Sequence, residues 1–200
     1  HAVTFPVEHL PTAKKCWQHY GEVISSRYAD ALLNGTACPD GTAAKATLRS
    51  RIAEWSGGRP EDVYLFPSGM AAIARAVAAA HHLRPRCKSG QLGFPYVDVY
   101  KVQEVDGPGA YLFAEGFEAD LAALAGRLAG EPLSAVLCET PGNPLLQSTD
   151  LPRLAELLRA HSTPLIVDDT TGTFANVDAL PHADLLVTSL TKAFSGAGDV

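Results

Sequence analysis

The chain has 200 residues, of which 46% are hydrophobic and 19% are charged, a balance typical of a folded globular protein. Its formal net charge of −6 argues against a non-specific nucleic-acid-binding protein, because such proteins need a basic surface. No run reaches the roughly 20 apolar residues of a membrane span, and the first residues lack the basic start and apolar core of a signal peptide.

Four cysteines lie far apart and form no Cys-x-x-Cys pair: Cys16, Cys38, Cys87 and Cys138. This spacing favours neither a disulfide framework nor a metal site. We therefore expect reduced thiols in a cytoplasmic protein. Cys138 ends an apolar run and is predicted to be buried in the core.

Residues 1–41 show weak periodicity and several turn signals and are predicted to form an N-terminal arm, with one short helix around Pro11–Tyr20. A helical pattern begins at Thr42, the predicted N-cap, and a pair of glycines ends it. Residues 42–200 are predicted to belong to one large domain. Because the chain does not begin with Met and stops soon after an apolar run, we interpret it as a segment of a longer polypeptide.

After this helix, short apolar runs alternate with helical patterns. Apolar runs without polar alternation are typical of strands covered on both faces. Their alternation with helices predicts an α/β fold with three layers around a doubly wound, mostly parallel sheet. The predicted strands are Val63–Phe66, Ala110–Phe113, Ala135–Cys138, Pro164–Val167 and Leu185–Thr188, and the predicted helices are Gly69–Leu83, Glu118–Ala129 and Leu151–His161.

Ligands bind outside the carboxyl ends of the strands in such sheets, so the residues after each apolar run are the candidates for function. Ser68, Gly69 and Met70 follow the first predicted strand and open a helix. Ser68 can cap this helix, Gly69 permits close backbone approach, and the unpaired N–H groups attract an anion such as phosphate. An ordinary capped helix explains the same residues.

Two more candidates follow later strands. Asp168 and Asp169 end a predicted strand, where a buried carboxylate can hold a proton on a ring nitrogen, although a metal ligand or a helix cap uses the same residue type. Lys192 follows the last predicted strand, where a desolvated amine would suit a Schiff-base nucleophile. Ser189 and Thr191 beside it could hold a phosphate. A solvated surface lysine is the alternative.

A proline-rich loop and an aromatic segment complete the candidates. The loop at 139–144 is made rigid by two prolines, and its Asn143 offers both a donor and an acceptor, although a simple turn also explains it. Tyr96 and Tyr100 could stack on a planar cofactor, although packing in the core is the commoner role of tyrosine.

The order of these motifs resembles the Cys/Met-metabolism family of pyridoxal 5′-phosphate (PLP) enzymes, which have the aspartate aminotransferase-like fold type I. Cystathionine γ-synthase, cystathionine γ- and β-lyases and methionine γ-lyase belong to this family. The resemblance covers about residues 42–200, and residues 93–99 are most similar to cystathionine γ-synthase-like members from fungi. The shared motifs are Ser-Gly-Met at 68–70, Tyr-x-x-x-Tyr at 96–100, Glu-Thr-Pro-x-Asn-Pro at 139–144, Val-Asp-x-Thr at 167–170 and Ser-x-Thr-Lys at 189–192.

The resemblance implies PLP as the cofactor and a role for each matching residue. Lys192 would form the Schiff base and later move protons at the substrate's α- and β-carbons. Asp168 would pair with the pyridinium nitrogen, and Asn143 would bond the ring's 3′ oxygen. Tyr96 would stack on the ring and help to activate the leaving group. The implied set is completed by Ser68, Gly69, Met70, Ser189 and Thr191 at the phosphate, and by Thr170 and Arg27.

The sequence departs from the family pattern in three places. Val97, Asp98 and Val99 replace Gly-Gly-Thr between the two tyrosines, so the shape beside the ring differs. Asp169 stands where the family has Asn and adds a second acid without an assigned role. Arg27 follows two serines, whereas the family has Tyr-Ser before the arginine that reaches a neighbouring subunit's phosphate.

The resemblance favours γ-replacement, in which a thiol or another nucleophile joins the γ-carbon of an O-activated homoserine. A β- or γ-lyase shares the same residues and stays open, as does an unusual carbon nucleophile. Two further hypotheses stay open beside these: a non-catalytic α/β ligand-binding domain, and a family member that keeps PLP without turnover.

We expect an amino-acid substrate, no metal, and a homodimer or homotetramer, because family members pair subunits across the active site. The arginine for the substrate carboxylate is expected in a C-terminal small domain outside this chain.

Overall fold

The computed structural model describes residues 5–37 and 40–195. Within them, five parallel strands form one sheet in the order β2-β1-β3-β4-β5. The strands are β1 Ser89–Leu92, β2 Ala110–Phe113, β3 Val136–Glu139, β4 Leu165–Asp168 and β5 Leu185–Val187. The α-helices are α1 Leu10–Tyr20, α2 Ser26–Leu33, α3 Thr42–Ser56, α4 Gly69–Leu83, α5 Val97–Val105, α6 Phe117–Gly130 and α7 Leu151–Ala160, with 3-10 turns at Val7–His9 and Pro60–Asp62 and a π-helical turn at Thr191–Ser195.

The sheet has helices packed on both faces, which confirms the predicted three-layer α/β fold. Successive side chains of a strand point to opposite faces, and β3 shows this directly. Val136 and Cys138 pack in the cluster that includes α6 and α7, whereas Leu137 packs in the cluster that includes α4 and α5. Cys138 is 1% exposed, as predicted.

Two strand predictions were wrong in opposite ways. The segment Val63–Phe66 is not a strand, and Tyr64 within it is 73% exposed. A strand needs a backbone partner, and no described strand pairs with this segment. Conversely, Ser89–Leu92 forms β1, an internal strand between β2 and β3, without an apolar run. Its polar side chains are satisfied by Gln103, which accepts from the Ser89 hydroxyl at 2.9 Å and donates to Gln91 Oε1 at 2.8 Å.

The structure confirms the predicted helices. Four of the predicted helices, at α1, α4, α6 and α7, begin and end within one residue of the expected positions. The helix from Thr42 also forms and ends at Gly57, which has a φ of +71°. Thr42 is not its N-cap, however, because Gly41 holds that position and Asp40 accepts from the Thr42 N–H at 3.0 Å.

Helices α2 and α5 were not predicted. Ser25 caps α2 by accepting from the Tyr28 N–H at 3.1 Å. Helix α5 begins with Val97, Asp98 and Val99, the residues that differ from the family pattern after Tyr96. Within residues 5–37 and 40–195, no helix combines the length and the apolar composition needed to cross a bilayer.

Candidate functional site

Three neighbouring strands deliver the candidate residues to one edge of the sheet. In the parallel register, Glu139 pairs with Asp168, and Asp168 pairs with Val187. The chain after each of these strands therefore emerges at the same side. The loop at 139–144, the segment after Asp168 and the segment leading to Lys192 consequently meet there, where ligands bind in sheets of this type.

The start of α4 lies against the segment after β5. A Cβ built on Gly69 would lie 2.8 Å from the Ser189 Cβ, so only glycine lets the backbone approach this closely. The first-turn N–H groups of Gly69 and Met70 have no acceptor within the helix. Gly69 and Ser189 are distant in sequence, and their proximity creates a cradle with backbone donors and a hydroxyl, which suits a phosphate.

Ser68 caps α4, as predicted, and also ties down the N-terminal segment. Its hydroxyl accepts from the Ala71 N–H at 3.0 Å and donates to the Gly21 carbonyl at 2.8 Å. Gly21 has a φ of +55°, and a Cβ there would collide with the Ser68 Oγ. The serine is therefore held between α4 and the turn after α1.

Asp168 lies half-buried at the end of β4. One carboxylate oxygen, Oδ1, accepts from the Thr170 N–H at 3.0 Å. Burial raises the pKa of Asp168, although the bonds from Thr170 oppose the rise. A carboxylate destabilised by burial gains from a cation beside it, and a pyridinium nitrogen is such a cation. The site therefore fits the ring as well as the phosphate of PLP.

Asp169, the acid that the sequence left without a role, is completely buried. Its Oδ1 accepts from the Thr188 hydroxyl, while its Oδ2 has no hydrogen-bond partner among the described residues. The pKa of Asp169 is raised to about 6, mainly by burial; the Thr188 bond opposes the rise and the charge of Asp168 adds to it. Asp169 thus links the ends of β4 and β5 without facing a cation among the described residues.

Lys192 follows β5 on a segment tied to β4. The Ser189 N–H donates to the Thr170 Oγ1 at 2.9 Å, and the Lys192 N–H donates to the Ser189 carbonyl at 3.2 Å. Thr191 is half-buried, but the Lys192 side chain is exposed. The expectation of a desolvated lysine is therefore wrong for the described structure, because no described element covers the lysine's side of the π-helical turn.

Tyr96 precedes α5, and its ring is 52% exposed. Its N–H donates to the Glu139 carboxylate, and its hydroxyl interacts with Asp98, which raises the pKa of the phenol. The Glu139 carboxylate also receives the N–H of Asn143. Burial raises the pKa of Glu139 to about 6, and the two N–H bonds lower it. Glu139 therefore joins the Tyr96 and Asn143 segments, a role that its place at the end of a predicted strand could have suggested.

One further candidate residue lies apart from this cluster. Arg27 occupies the first turn of α2 on the exposed surface. A cavity of about 440 Å³ opens beyond β1, β2 and β3. Of the predicted site residues it includes Asn143 alone, so it adjoins the cluster around Asp168 and is not formed by it.

Comparison with solved structures identifies the fold. Cystathionine gamma-synthase from Xanthomonas oryzae has the same fold, with a TM-score of 0.60 at 24% identity over 76% of this chain and 38% of that one. The fold is that of the fold-type I PLP-dependent enzymes.

Comparison with curated sequences identifies the family. A cystathionine gamma-synthase-like enzyme of Amanita muscaria is 37% identical over all of this chain and 44% of its own length. The cystathionine gamma-synthase of Neurospora crassa is 48% identical over 69% of this chain and 23% of its own length. Residues 117–200 match the family described as Cys/Met metabolism PLP-dependent enzyme. The chain belongs to this family, and it spans less than half the length of these curated relatives.

Proposed function

We propose that the complete protein is a PLP-dependent γ-replacement enzyme that joins a nucleophile to the γ-carbon of an O-activated homoserine. The observation that carries the PLP site is the meeting of the Gly69–Ser189 cradle, Asp168 and the Lys192 segment at one edge of the sheet. The names of the Amanita muscaria and Neurospora crassa relatives support the choice of γ-replacement. PLP, when bound, supplies an electron sink for negative charge at the substrate's α-carbon.

We assign each residue around the ring a role in this proposal. Lys192 holds the cofactor and moves protons at the substrate's α- and β-carbons, for which its exposed amine is accessible. Asp168 keeps a proton on the ring nitrogen, positioned by its bond from Thr170. Tyr96 stacks on the ring, and because Asp98 raises the pKa of its hydroxyl, that hydroxyl stays protonated and can donate to the leaving group.

The phosphate and the 3′ oxygen take the remaining residues. The first-turn N–H groups of α4 and the hydroxyls after β5 bind the phosphate, and Asn143 bonds the 3′ oxygen. Arg27 reaches the phosphate of a neighbouring subunit. The phosphate-binding residues in this proposal are Ser68, Gly69, Met70, Ser189 and Thr191, of which Ser68 acts through its backbone N–H because its hydroxyl donates to the Gly21 carbonyl.

A first experiment tests the cofactor lysine in the complete protein. PLP is added to the purified protein, the mixture is reduced with borohydride, and the attachment site is read by peptide mass spectrometry. Attachment at Lys192, lost in Lys192→Ala and kept in Lys14→Ala, supports the proposal. Lys14 is an exposed lysine on α1 and serves as the matched control. Attachment elsewhere, or none, would refute it.

A second experiment separates replacement from elimination. O-acetyl- and O-succinylhomoserine are supplied with and without cysteine, and the products are identified. A thioether that forms only when cysteine is present supports γ-replacement. Release of a keto acid and ammonia regardless of cysteine would instead identify a lyase, which uses the same residues. Cofactor attachment without either product would indicate a member that keeps PLP without turnover.

We also propose an assembly and a division of the chain. Residues 1–41 form an arm, residues 42–200 belong to the PLP-binding domain, and the complete protein is a cytoplasmic homodimer or homotetramer. Exposed apolar side chains on the arm support an assembly, among them Trp17 at 62% and Leu33 at 86%. Light scattering coupled to size exclusion tests the assembly, and an active monomer would refute it.

A further inference from the structure

The turn that carries Lys192 is weakly fixed by its own hydrogen bonds. It consists of a single five-residue π-helical turn, Thr191–Ser195, and none of its residues is buried. Such short turns gain little stability from their backbone geometry. Upstream, Ser189 is tied to Thr170. A lysine that must meet a cofactor needs a second anchor downstream.

An aromatic stack provides that second anchor. The ring of Phe194, two residues after Lys192, stacks on Phe174 with centroids 4.8 Å apart and planes 14° apart. It also meets Trp55 of α3, with centroids 6.0 Å apart and planes 26° apart. Phe174 is only 8% exposed and lies in the loop after Asp169. The stack therefore fixes the Lys192 turn to the part of the chain that also carries Asp168.

We infer that Phe194 is a positioning residue for Lys192, acting through its stack with Phe174 and Trp55. The inference rests on the proposed function, since it takes Lys192 as the cofactor lysine. The lysine lies between the Thr170–Ser189 bond and the stack, so both ends of its segment are held against the loop after β4. Removing the Phe194 ring releases one end.

The size of the effect follows from the number of ring pairs. Each stacked pair contributes roughly a twofold to tenfold factor beyond the area that it buries, and Phe194 takes part in two pairs. If the turn holds Lys192 in the cofactor-binding position for only a fraction of the time, the apparent affinity for the cofactor falls by that fraction. We therefore expect Phe194→Leu to weaken PLP affinity roughly fivefold to a hundredfold.

The test uses the complete protein and three variants. Phe194→Leu removes the ring, Phe194→Tyr restores one, and Phe113→Leu removes a buried core ring that is 9% exposed and outside the stack. PLP affinity is measured by titration of the PLP-free protein, and attachment at Lys192 by borohydride trapping. We expect a loss in Phe194→Leu, affinity within about twofold of the parent in Phe194→Tyr, and an unchanged affinity with a lower melting temperature in Phe113→Leu.

A readout without PLP checks the stack itself. The Trp55 fluorescence, taken as the difference from a Trp55→Phe variant, should change in Phe194→Leu and stay unchanged in Phe113→Leu. Wild-type PLP affinity in folded Phe194→Leu would overturn the inference, as would a loss of affinity equal to that of Phe113→Leu. If the parent never attaches PLP at Lys192, the proposed function fails, and the fluorescence alone then reports on the stack.

Discussion

Replacing Asp169 by Asn should make the protein more stable at neutral pH and above. The side chain of Asp169 is completely buried, and one of its carboxylate oxygens has no partner among the described residues. Burial raises the pKa of Asp169 from 3.8 to about 6. The Asn side chain has the same shape, keeps an acceptor for the Thr188 hydroxyl and carries no charge.

The sign follows from linkage. The pKa of the folded state lies above that of the unfolded state, so the folded state binds the proton more tightly. The stabilising contribution of protonated Asp169 is complete below about pH 4 and is lost as the pH rises through about 6. The difference is about two pKa units at 1.36 kcal/mol each, so ionised Asp169 costs about 3 kcal/mol above pH 6.

Denaturant unfolding of the PLP-free complete protein measures this effect between pH 4 and pH 8. The free energy of unfolding of Asp169→Asn, relative to the parent, should rise by up to about 3 kcal/mol across this range. Asp178→Asn changes an exposed acid of the same connection and should show no such rise. A difference between Asp169→Asn and the parent that does not vary with pH would refute the reasoning.

Three further changes test the site. Glu139→Ala leaves the Tyr96 N–H without its acceptor, so it should lower the free energy of unfolding by about 1–3 kcal/mol and weaken PLP affinity. Glu139→Gln keeps an acceptor and should retain the stability and the PLP affinity of the parent. Equal losses in the two variants would contradict this role. Asp98→Asn should lower the pKa of Tyr96 towards its usual value, because the carboxylate that raises this pKa is gone. Ultraviolet titration of the phenolate, with the Tyr96→Phe variant subtracted, measures the shift. An unchanged titration would contradict the assignment. Gly69→Ala inserts a Cβ into the cradle, so it should lower the free energy of unfolding by about 1–3 kcal/mol and weaken PLP affinity. In the control Gly126→Ala the new Cβ meets nothing within 4 Å, and the protein should be stabilised by up to about 1 kcal/mol. A Gly69→Ala variant that binds PLP normally would argue against the cradle.

Several parts of the fold could be read from local sequence. The helix Gly69–Leu83 and the helix from Leu151 have regular apolar spacing, capping residues and clear ends, and both formed as predicted. Apolar runs such as the one ending at Cys138 predicted buried strands, because a strand covered on both faces needs apolar side chains at every position. The motifs at the strand ends predicted the family, and sequence relatives confirmed it.

Other parts depended on partners that local sequence does not record. The polar segment Ser89–Leu92 became an internal strand because Gln103, on another element, satisfies its side chains. The apolar segment Val63–Phe66 did not become a strand, since no described strand lies beside it. The link from Glu139 to Tyr96 likewise joins residues that are distant along the chain.

The sequence by itself determined five of the seven α-helices in the described residues, most strands, the family and the set of residues at the strand ends. Only the tertiary structure decided that Gly69 touches Ser189, that Asp169 is buried with an oxygen unpaired among the described residues, and that Phe194 stacks beside Lys192. The physical reason is that helix propensity, capping and apolar periodicity act over a few neighbouring residues. Contacts between the ends of parallel strands instead depend on strand order and register. The long crossover connections between parallel strands do not specify this order or register in the local sequence.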